Sequence, residues 1–436
     1  MATGVSKTKM NGNLQVSTSD NGNLSYHPIW QNGNSANRLY FGDNLAVMQD
    51  MLKDETIKGQ IRLIYIDPPY ATNSVFQTRK QQDAYTDLLT GNDYVDFIRE
   101  RLSLMKELLA DNGSIYVHLD NKMVFHIKVL MDEIFGTGNF RSMITRKKCK
   151  SKNFTKNSFG NISDYILFYT KSNNYVWNKQ YDQWTDDKIL KEYPFIEEDT
   201  GRRYKRVPIH APGTRNGETG KTWRGMMPPE GKHWQFTPNK LEELDRNGEI
   251  YWSSTGNPRR KVYLDESNGI ALQDIWLDYL DVNNQNTQTT GYPTEKNIDM
   301  LKRIILASSN MGDLVMDCFA GSGTMLVAAD ELKRNWIGVD VGNEAIKVIL
   351  NRFKNGTQTL DEHIGNKKEI QKTPDLFSSS LIEGNTFVAN KIAHHLINNY
   401  TIFANGKYSG AEFQIPENTA TIKNGILDRA SEEGNI

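Results

Sequence analysis

The stretch that decides the fold is Ile61-Arg62-Leu63-Ile64-Tyr65-Ile66, which continues directly into Asp67-Pro68-Pro69-Tyr70. The first six residues are mostly apolar and rich in β-branched side chains, which predicts a strand buried inside a sheet. The next four residues therefore lie at the carboxyl end of a central strand, where open α/β sheets bind their ligands.

The same pattern of short apolar strands and amphipathic helices extends on both sides of this stretch. Further strands are predicted at 39–41, 114–119, 164–169, 313–317 and 336–340, and helices at 45–51, 93–110, 122–135, 294–308 and 323–334. Strands that alternate with helices predict an α/β fold with a Rossmann-like, doubly wound and mostly parallel sheet. Residues 141–156 carry seven positive and no negative charges, and we expect them to form a basic loop.

The alternation is interrupted between residues 173 and 288, where the sequence gains Gly, Pro, Trp and Arg. This interruption predicts a domain inserted between two halves of the α/β core. The predicted segments are a polar N-terminal tail at 1–36, the first half of the core at 37–172, the insert at 173–288, the second half of the core at 289–355, and a C-terminal extension without an assigned role at 356–436.

The composition excludes several classes of protein. The 436 residues are 38% hydrophobic and 24% charged, which is typical of a soluble protein of two or three domains. No apolar run approaches the ~20 residues of a transmembrane helix, and the first residues lack the apolar stretch of a secretory signal. The two cysteines, Cys149 and Cys318, are too few for a disulfide framework or a four-cysteine zinc site. We therefore expect a cytoplasmic protein that does not bind a membrane.

Charge is distributed unevenly along the chain, although the net charge is only −1. Residues 141–261 contain 24 Lys and Arg against 14 Asp and Glu, and the rest of the chain contains 28 against 39. The same window holds five of the eight tryptophans. Cations that contact phosphates and rings that stack on bases predict a segment that binds nucleic acid. A solvated face above ordinary core tryptophans fits the charge alone equally well.

Asp67-Pro68-Pro69-Tyr70 combines hydrogen-bond acceptors with an aromatic ring. Two prolines hold the backbone extended and remove two N–H donors, so a group that docks there meets the Asp67 carboxylate and carbonyl oxygens. Acceptors beside a stacking ring favour a planar base with an exocyclic amine, such as adenine or cytosine. A proline-rich turn capped by Asp67 is the structural alternative, and the position at the end of a central strand argues against it.

A second motif, Val315-Met316-Asp317-Cys318-Phe319-Ala320-Gly321-Ser322-Gly323-Thr324, predicts a strand, a glycine turn and the start of a helix. Gly321 and Gly323 let the backbone approach a ligand closely. The Lys of a phosphate loop and the third Gly of a dinucleotide fingerprint are both missing. Asp340 follows the next strand, at a position where an acidic residue accepts hydrogen bonds from the two hydroxyls of a ribose. The motif therefore predicts a nucleoside-like cofactor without a phosphate.

Together the two motifs resemble those of the amino-group DNA methyltransferases that use S-adenosylmethionine. Asp67-Pro68-Pro69-Tyr70 is similar to their catalytic tetrapeptide, and residues 317–323 are similar to their cofactor loop. The order of catalytic half, basic insert and cofactor half resembles the circularly permuted beta class of restriction-modification enzymes. Gly42-Asp43-Asn44-Leu45 and Tyr292-Pro293-Thr294-Glu295-Lys296 are supporting matches, although the second departs from the family's more usual His-Pro-Thr-Gln-Lys-Pro.

The resemblance implies site-specific transfer of a methyl group from S-adenosylmethionine to N6 of an adenine flipped out of duplex DNA. It implies that Asp67 and Pro68 hold the amine, that Tyr70 stacks on the base, and that Pro69 completes the catalytic motif. The cofactor-binding residues that it implies are Asp43, Asp317, Phe319, Ala320, Gly321, Gly323, Asp340 and Lys296. The basic insert would be the target-recognition domain, and the expected DNA contacts are Arg146, Lys147, Lys148, Lys150, Arg202, Arg203 and Arg224.

Several alternatives stay open. Asp67, where cytosine-N4 enzymes more often have Ser, favours adenine, but a cytosine-N4 or RNA methyltransferase is the nearest alternative. A catalytically silent DNA-binding subunit is a third. Double-stranded DNA is the expected partner, and the resemblance also allows a restriction endonuclease subunit and a second copy of the chain. His118 and Asp120 are expected to be structural, because no third ligand is spaced for a metal.

Overall fold

The computed structural model describes residues 25–32, 36–69, 74–77, 83–87, 91–150, 157–281, 292, 295–356, 397, 399–405, 421–423 and 426–428. This part of the chain forms two compact units. The first takes the described residues up to 178 and those from 273 onward, and the second comprises 179–272. None of the helices in these ranges combines the length and the apolar character that crossing a bilayer requires.

The elements are numbered along the chain. The strands are β1 His27–Asn32, β2 Arg38–Phe41, β3 Ile61–Ile66, β4 Ser74–Gln77, β5 Asp83–Asp87, β6 Leu109–Leu119, β7 Phe140–Lys147, β8 Ser163–Thr170, β9 Tyr181–Asp182, β10 Phe195–Ile196, β11 Arg203–Pro208, β12 His210–Pro212, β13 Lys232–Trp234, β14 Ile250–Trp252, β15 Pro258–Tyr263, β16 Ile270–Ala271, β17 Ile275–Trp276, β18 Leu314–Asp317, β19 Asn335–Asp340, β20 Tyr400–Ala404, β21 Thr421–Lys423 and β22 Ile426–Asp428. The helices are α1 Asn44–Met51, α2 Gly91–Leu108, α3 Val124–Phe135, α4 Asp186–Glu192, α5 Pro238–Arg246, α6 Ile298–Ser308, α7 Thr324–Glu331 and α8 Asn343–Asn355.

The first unit is built on a ten-stranded sheet in the order β1-β20-β2-β19-β18-β3-β6-β8-β7-β17. Every pair from β20 to β6 in this order is parallel, which confirms the predicted α/β fold with a mostly parallel sheet. Antiparallel pairs occur where β8 meets β6 and β7 and where β1 meets β20. Because β2, β19, β18 and β3 are parallel neighbours, their carboxyl ends lie along one edge of the sheet.

Helices cover both faces of this sheet. Leu63 and Tyr65 of β3 belong to a hydrophobic cluster with residues of α6, α7 and α8. Ile64 and Ile66 belong to the cluster on the other face, with residues of α1, α2 and α3. Alternate side chains of a strand point to opposite faces, so a strand that is buried on both faces has a continuous apolar sequence. This burial explains why 61–66 could be recognised as a central strand.

Strand β7 corrects the expectation of a basic loop at 141–156. Phe140–Lys147 pairs with β8 along its length, and Ile144 and Arg146 are buried while the residues beside them are half-buried. The period of two that defines a strand is present, but one of its buried positions is an arginine. The charge of Arg146 therefore made the alternation of buried and half-buried residues hard to recognise in the sequence. The strand continues to Lys147.

Both ends of the chain contribute strands that the sequence did not predict. Strand β1 lies within the predicted polar tail, and β20 lies within the predicted C-terminal extension. Strand β20 is inserted between β1 and β2, and its Tyr400 and Ile402 join the hydrophobic core. Phe403 stacks on Tyr40 with ring centroids 4.6 Å apart.

The second unit contains a four-stranded antiparallel sheet in the order β10-β11-β15-β14. Trp223 and Trp234 are buried in a small hydrophobic cluster beside it. Trp223 also stacks on Trp252, with ring centroids 5.3 Å apart. These tryptophans pack against each other inside the unit, so the expectation that they stack on bases is wrong for Trp223 and Trp234.

Candidate active site

Four acidic residues mark the carboxyl ends of four adjacent parallel strands. Asp340 and Asp317 are the last residues of β19 and β18. Asp67 follows β3 directly, and Asp43 follows β2 after one glycine. The sheet therefore brings together predicted catalytic and cofactor-binding residues that lie far apart in the sequence.

The glycine turn between β18 and α7 is held by Asp340. Gly321 and Gly323 have φ values of 53° and 72°, which favour glycine because other residues rarely adopt this region. The Asp340 carboxylate accepts hydrogen bonds from the N–H groups of Gly321 and Gly342, both at 2.8 Å. Burial raises the pKa of Asp340 to about 6, although these N–H donors act in the opposite direction.

Asp317 is buried beside the same turn. Its Oδ1 accepts a hydrogen bond from the Phe319 N–H at 3.0 Å. Burial, together with the negative charges of Asp67 and Asp340, raises the pKa of Asp317 to about 8. A cationic group bound here would stabilise the charged form of this carboxyl, because an opposite charge nearby favours ionisation.

The predicted turn residues Phe319 and Ala320 have structural partners in addition. The Ala320 N–H donates to the Val339 carbonyl at 3.0 Å, and the Gly323 N–H donates to the Ala320 carbonyl at 2.7 Å. The Phe319 ring lies 6.3 Å from the Phe97 ring of α2. These bonds fix the backbone path of the turn before any ligand binds.

Asp43 caps α1 and connects it to α2. Its Oδ1 accepts hydrogen bonds from the N–H groups of Leu45 and Ala46, and its Oδ2 lies 3.3 Å from Arg101. The buried Arg101 also donates to the Asn44 side chain at 2.6 Å, and Asn44 donates to the Cys318 carbonyl at 2.8 Å. This network connects the end of β2 to the residue that follows Asp317.

Asp67 is paired with Lys296. The Lys296 Nζ lies 2.7 Å from Asp67 Oδ2, and both side chains are shielded from solvent. Lys296 was predicted to bind the cofactor, but its ammonium lies on the candidate catalytic carboxylate. Pro68 and Pro69 follow and have no backbone N–H to donate. Tyr70, predicted to stack on the base, lies outside the described residues.

His118 lies behind Asp67 at the end of β6. Its Nδ1 is hydrogen-bonded to the Tyr65 hydroxyl at 2.8 Å and lies 4.0 Å from Asp67 Oδ1. Burial and the charges of Asp67 and Asp317 hold the pKa of Tyr65 well above its ordinary value, so this hydroxyl keeps its proton and can donate to Nδ1. The Nε2 of His118 lies 2.9 Å from Asp164.

Asp120 has the structural role that was expected, because its carboxylate accepts hydrogen bonds from the Lys122 and Met123 N–H groups. No cluster of three or more His, Cys, Asp or Glu side chains suited to a metal occurs among the residues described. The contacts of His118 with Tyr65 and Asp164 indicate that it positions these two side chains.

Arg146 is corrected as a candidate DNA contact. Its side chain is fully buried, and its guanidinium binds both oxygens of Asp164 at 2.8 and 2.7 Å as well as the Asp281 carboxylate. Burial alone would raise the pKa of Asp164, but His118 and Arg146 hold it well below its ordinary value. An arginine enclosed in this way is not available to a phosphate.

The other predicted DNA contacts lie nearer the surface. Lys147 and Lys148 are half-buried and Lys150 is exposed, and no carboxylate in the described ranges pairs with them. In the second unit, Arg202 pairs with Asp265 and Glu266, each at 2.7 Å. Arg224 pairs with Glu242 and Asp245 at 2.7 and 2.6 Å.

Arg203 belongs to a basic pair of strands. β11 and β15 are neighbours, and Arg206 lies opposite Lys261 while Pro208 lies opposite Arg259. Lys261 is paired with Glu197 at 2.7 Å and Arg260 lies 3.8 Å from Glu249, so carboxylates offset part of the positive charge of this sheet. The cations on these two strands are Arg203, Lys205, Arg206, Arg259, Arg260 and Lys261.

A protein-family model described as DNA methylase matches residues 61–351, which is more than half of the chain. The chain belongs to the N6/N4 DNA methylase family. The Type II methyltransferase M.EcaI of Enterobacter cloacae is 48% identical over 329 residues, which cover 75% of this methylase and 72% of that protein. The DNA adenine methyltransferase YhdJ of Escherichia coli (strain K12) is 25% identical over 349 residues, which cover 80% and 92%. Among solved structures, the complex of M1.HpyAVI with SAM covers 72% of this methylase and 98% of that chain, with a TM-score of 0.40 and 15% identity.

Sequence reasoning missed several residues that surround the site of this methylase. Arg101 lies three residues after Ile98 and four before Met105, on the apolar stripe of α2. A charged residue on such a stripe is itself a signal, because buried charges are nearly always paired. The contacts of His118 and Lys296 carried no comparable signal, because each partner lies on a distant strand.

Proposed function

We propose that this methylase transfers a methyl group from S-adenosylmethionine to N6 of an adenine in duplex DNA, within a specific recognition sequence. The observation that carries the proposal is the Asp67 carboxylate at the end of β3, because the adjacent β18 and the next strand, β19, end at the Asp317–Asp340 glycine turn. Asp67 would thereby bind the amine. Asp317 and Asp340 lie at the carboxyl ends of strands, where α/β sheets bind nucleoside-like cofactors.

The residues of the turn suit S-adenosylmethionine. Asp340 offers a charged acceptor for ribose hydroxyls, and Asp317 offers a carboxyl group whose ionisation a positive charge would favour. A Cβ added at Gly321 would lie 3.4 Å from the Tyr292 ring, which is an ordinary packing contact, so the φ of 53° is what favours glycine in this turn. When bound, S-adenosylmethionine supplies an electrophilic methyl group on a sulfonium centre.

The protein's own groups would prepare the amine for attack. The exocyclic amine of adenine is a weak nucleophile because its lone pair is delocalised into the ring. Asp67 and the Pro68 carbonyl would accept hydrogen bonds from its two N–H groups and thereby direct the lone pair at the methyl group. The proton that the amine loses after transfer can pass to the Asp67 carboxylate. Stacking of the base on Tyr70 remains a prediction from the sequence.

DNA recognition would involve both units. A base inside a duplex cannot reach a site at a sheet edge, so the target adenine must leave the stack at a cost of a few kcal/mol. We infer that Lys147, Lys148 and Lys150 contact phosphates, and that the basic strands β11 and β15 belong to the target-recognition domain. The resemblance to restriction-modification enzymes favours a restriction endonuclease as a functional partner.

A division of labour between two aspartates tests this proposal. Asp67→Ala should abolish methyl transfer and leave S-adenosylmethionine binding close to the wild-type value, because Asp67 serves the amine. Asp340→Ala should weaken cofactor binding, because the ribose loses a charged acceptor. Purified proteins would be incubated with duplex DNA, the DNA digested and the nucleosides weighed by mass spectrometry, with cofactor Kd measured by calorimetry.

The same experiment separates the alternatives. N6-methyladenine produced by the wild-type protein supports the proposal, and N4-methylcytosine would replace it. Near-normal turnover by Asp67→Ala would show that the amine is held elsewhere.

A further inference from the structure

The segment that leads into α6 contacts both halves of the active site. Tyr292 packs against the glycine turn at Gly321, and Asn297 caps α6 by accepting hydrogen bonds from Asp299 and Met300. Glu295 and Lys296 lie between these two residues, and both are buried. These two adjacent side chains reach different partners.

Lys296 reaches the catalytic half. Its ammonium is 2.7 Å from Asp67 Oδ2, with only 9% of the lysine side chain and 18% of the aspartate side chain exposed. Shielding from water strengthens the attraction between the two charges. A carboxylate has about four acceptor positions, so a contact of Asp67 with the Lys296 ammonium is compatible with a hydrogen bond from an amine.

Glu295 reaches the cofactor half through Arg352 of α8. Its Oε1 lies 3.0 Å from Arg352 Nη1, and both side chains are 3% exposed. The same nitrogen donates to Thr324 Oγ1 at 2.8 Å and to the Ser322 carbonyl at 3.3 Å. These two residues lie on either side of Gly323, so Glu295 holds the guanidinium that fixes the glycine turn.

We propose that Glu295 and Lys296 are adjacent positioning residues with separate tasks, Lys296 for the Asp67 carboxylate and Glu295, through Arg352, for the glycine turn. The inference rests on the proposed function and replaces the expectation that Lys296 binds the cofactor. In this chain, which has Glu295 where the family more usually has Gln, the carboxylate is the charged partner of a buried arginine.

The proposal predicts opposite kinetic effects for the two residues. Lys296→Met should lower the single-turnover rate at saturating cofactor and DNA by about 100-fold, because a small misplacement of a catalytic group has an effect of this size. Its cofactor Kd should stay close to the wild-type value. Lys296→Arg keeps the positive charge and should recover part of the rate.

Glu295 variants should show the reverse pattern, with a changed cofactor Kd and a nearly unchanged rate at saturating cofactor. Glu295→Ala leaves Arg352 without its carboxylate, and the cofactor Kd should rise while the rate at saturating cofactor changes little. Glu295→Gln keeps a hydrogen-bond acceptor for Arg352 and should lie between the wild type and Glu295→Ala. If Glu295→Ala fails to fold, the Kd of Glu295→Gln decides the question.

Lys302→Met is the matched control. Lys302 lies on α6 and also pairs with a carboxylate, Glu331, at 2.7 Å. Among the described residues its other ion pair is with Asp299 at 4.0 Å, and neither carboxylate belongs to the candidate site. Melting temperatures of all variants would be recorded alongside rates and Kd values. A larger loss of rate in Lys296→Met than in Lys302→Met at similar melting temperatures supports positioning.

Two outcomes would overturn the inference. A raised cofactor Kd with a wild-type rate at saturating cofactor would make Lys296 a cofactor ligand. Equal losses of rate and melting temperature in Lys296→Met and Lys302→Met would make its role structural. The wild-type product is identified in the same assay, so failure of adenine methylation is seen separately, and transfer to another base would still permit the comparison.

Discussion

Asp340 and Asp317 have carboxyl groups whose charge changes within the pH range of ordinary assays. Burial raises the pKa of Asp340 to about 6 and that of Asp317 to about 8. Each folded carboxyl therefore keeps a proton that the unfolded chain has already released above its ordinary pKa of 3.8. By linkage, these two groups make the fold less stable as the pH rises through that window.

Cofactor affinity should follow the opposite sign. Ionised Asp340 is the better acceptor for ribose hydroxyls, so S-adenosylmethionine should bind more tightly as the pH rises, by at most about tenfold per unit below pH 6. A further increase in cofactor affinity is expected near pH 8, where Asp317 ionises. Calorimetric Kd values across this range would test both effects. Asp340→Asn should flatten the lower part of the profile and Asp317→Asn the upper part, and an unchanged profile in both variants would contradict the assignment.

The end of β7 at Lys147 and the residues that follow it carry cations that we expect to contact phosphates. Replacing Lys147, Lys148 and Lys150 together by Ala should reduce the slope of log affinity against log salt by about 0.9 for each phosphate that the variant no longer neutralises. A triple variant of Lys53, Lys302 and Lys347, each paired with a carboxylate elsewhere, removes the same charge and should keep the slope. Equal slopes in the two variants would show that the segment does not contact DNA.

Arg146 belongs to the same strand but should behave differently. Arg146→Met leaves the buried Asp164 without its guanidinium, and breaking a buried pair in this way costs about 3–5 kcal/mol of stability. The salt slope of the folded variant should equal that of the wild type. Denaturant unfolding and DNA titration at several salt concentrations would separate the two effects.

Local patterns explain how far the sequence could predict these elements. Strand β3 is an apolar run followed by Asp67, and the largely apolar β18 and β19 end in Asp317 and Asp340. The ends of these strands, and the candidate site there, could therefore be predicted. Strand β7 could not, because its buried positions include the charged Arg146. The Lys296–Asp67 pair could not be predicted either, because it depends on where α6 begins relative to β3 and no local pattern encodes that distance.

The whole molecule depends on pairings between distant parts of the chain. Strand β20 lies between β1 and β2, and β1 pairs antiparallel with it. The entropy cost of closing such a long loop is offset only when the sheet assembles. Local propensity therefore does not predict these strands. The sequence predicts a domain inserted at 173–288, from the loss of alternating strands and helices there. The limits of the second unit at 179–272 depend on three-dimensional contacts.

Site-specific methylation is a property of the complete protein, because it needs a catalytic site, a bound cofactor and a DNA-reading surface together. The direct measurement is base-modification sequencing of genomic DNA from a methylation-deficient host that expresses either the wild-type protein or Asp67→Ala. We expect N6-methyladenine at every copy of one short sequence with the wild-type protein and at none with the variant. Modified cytosine, adenine methylation scattered without a sequence, or the same pattern in both strains would contradict the proposed function.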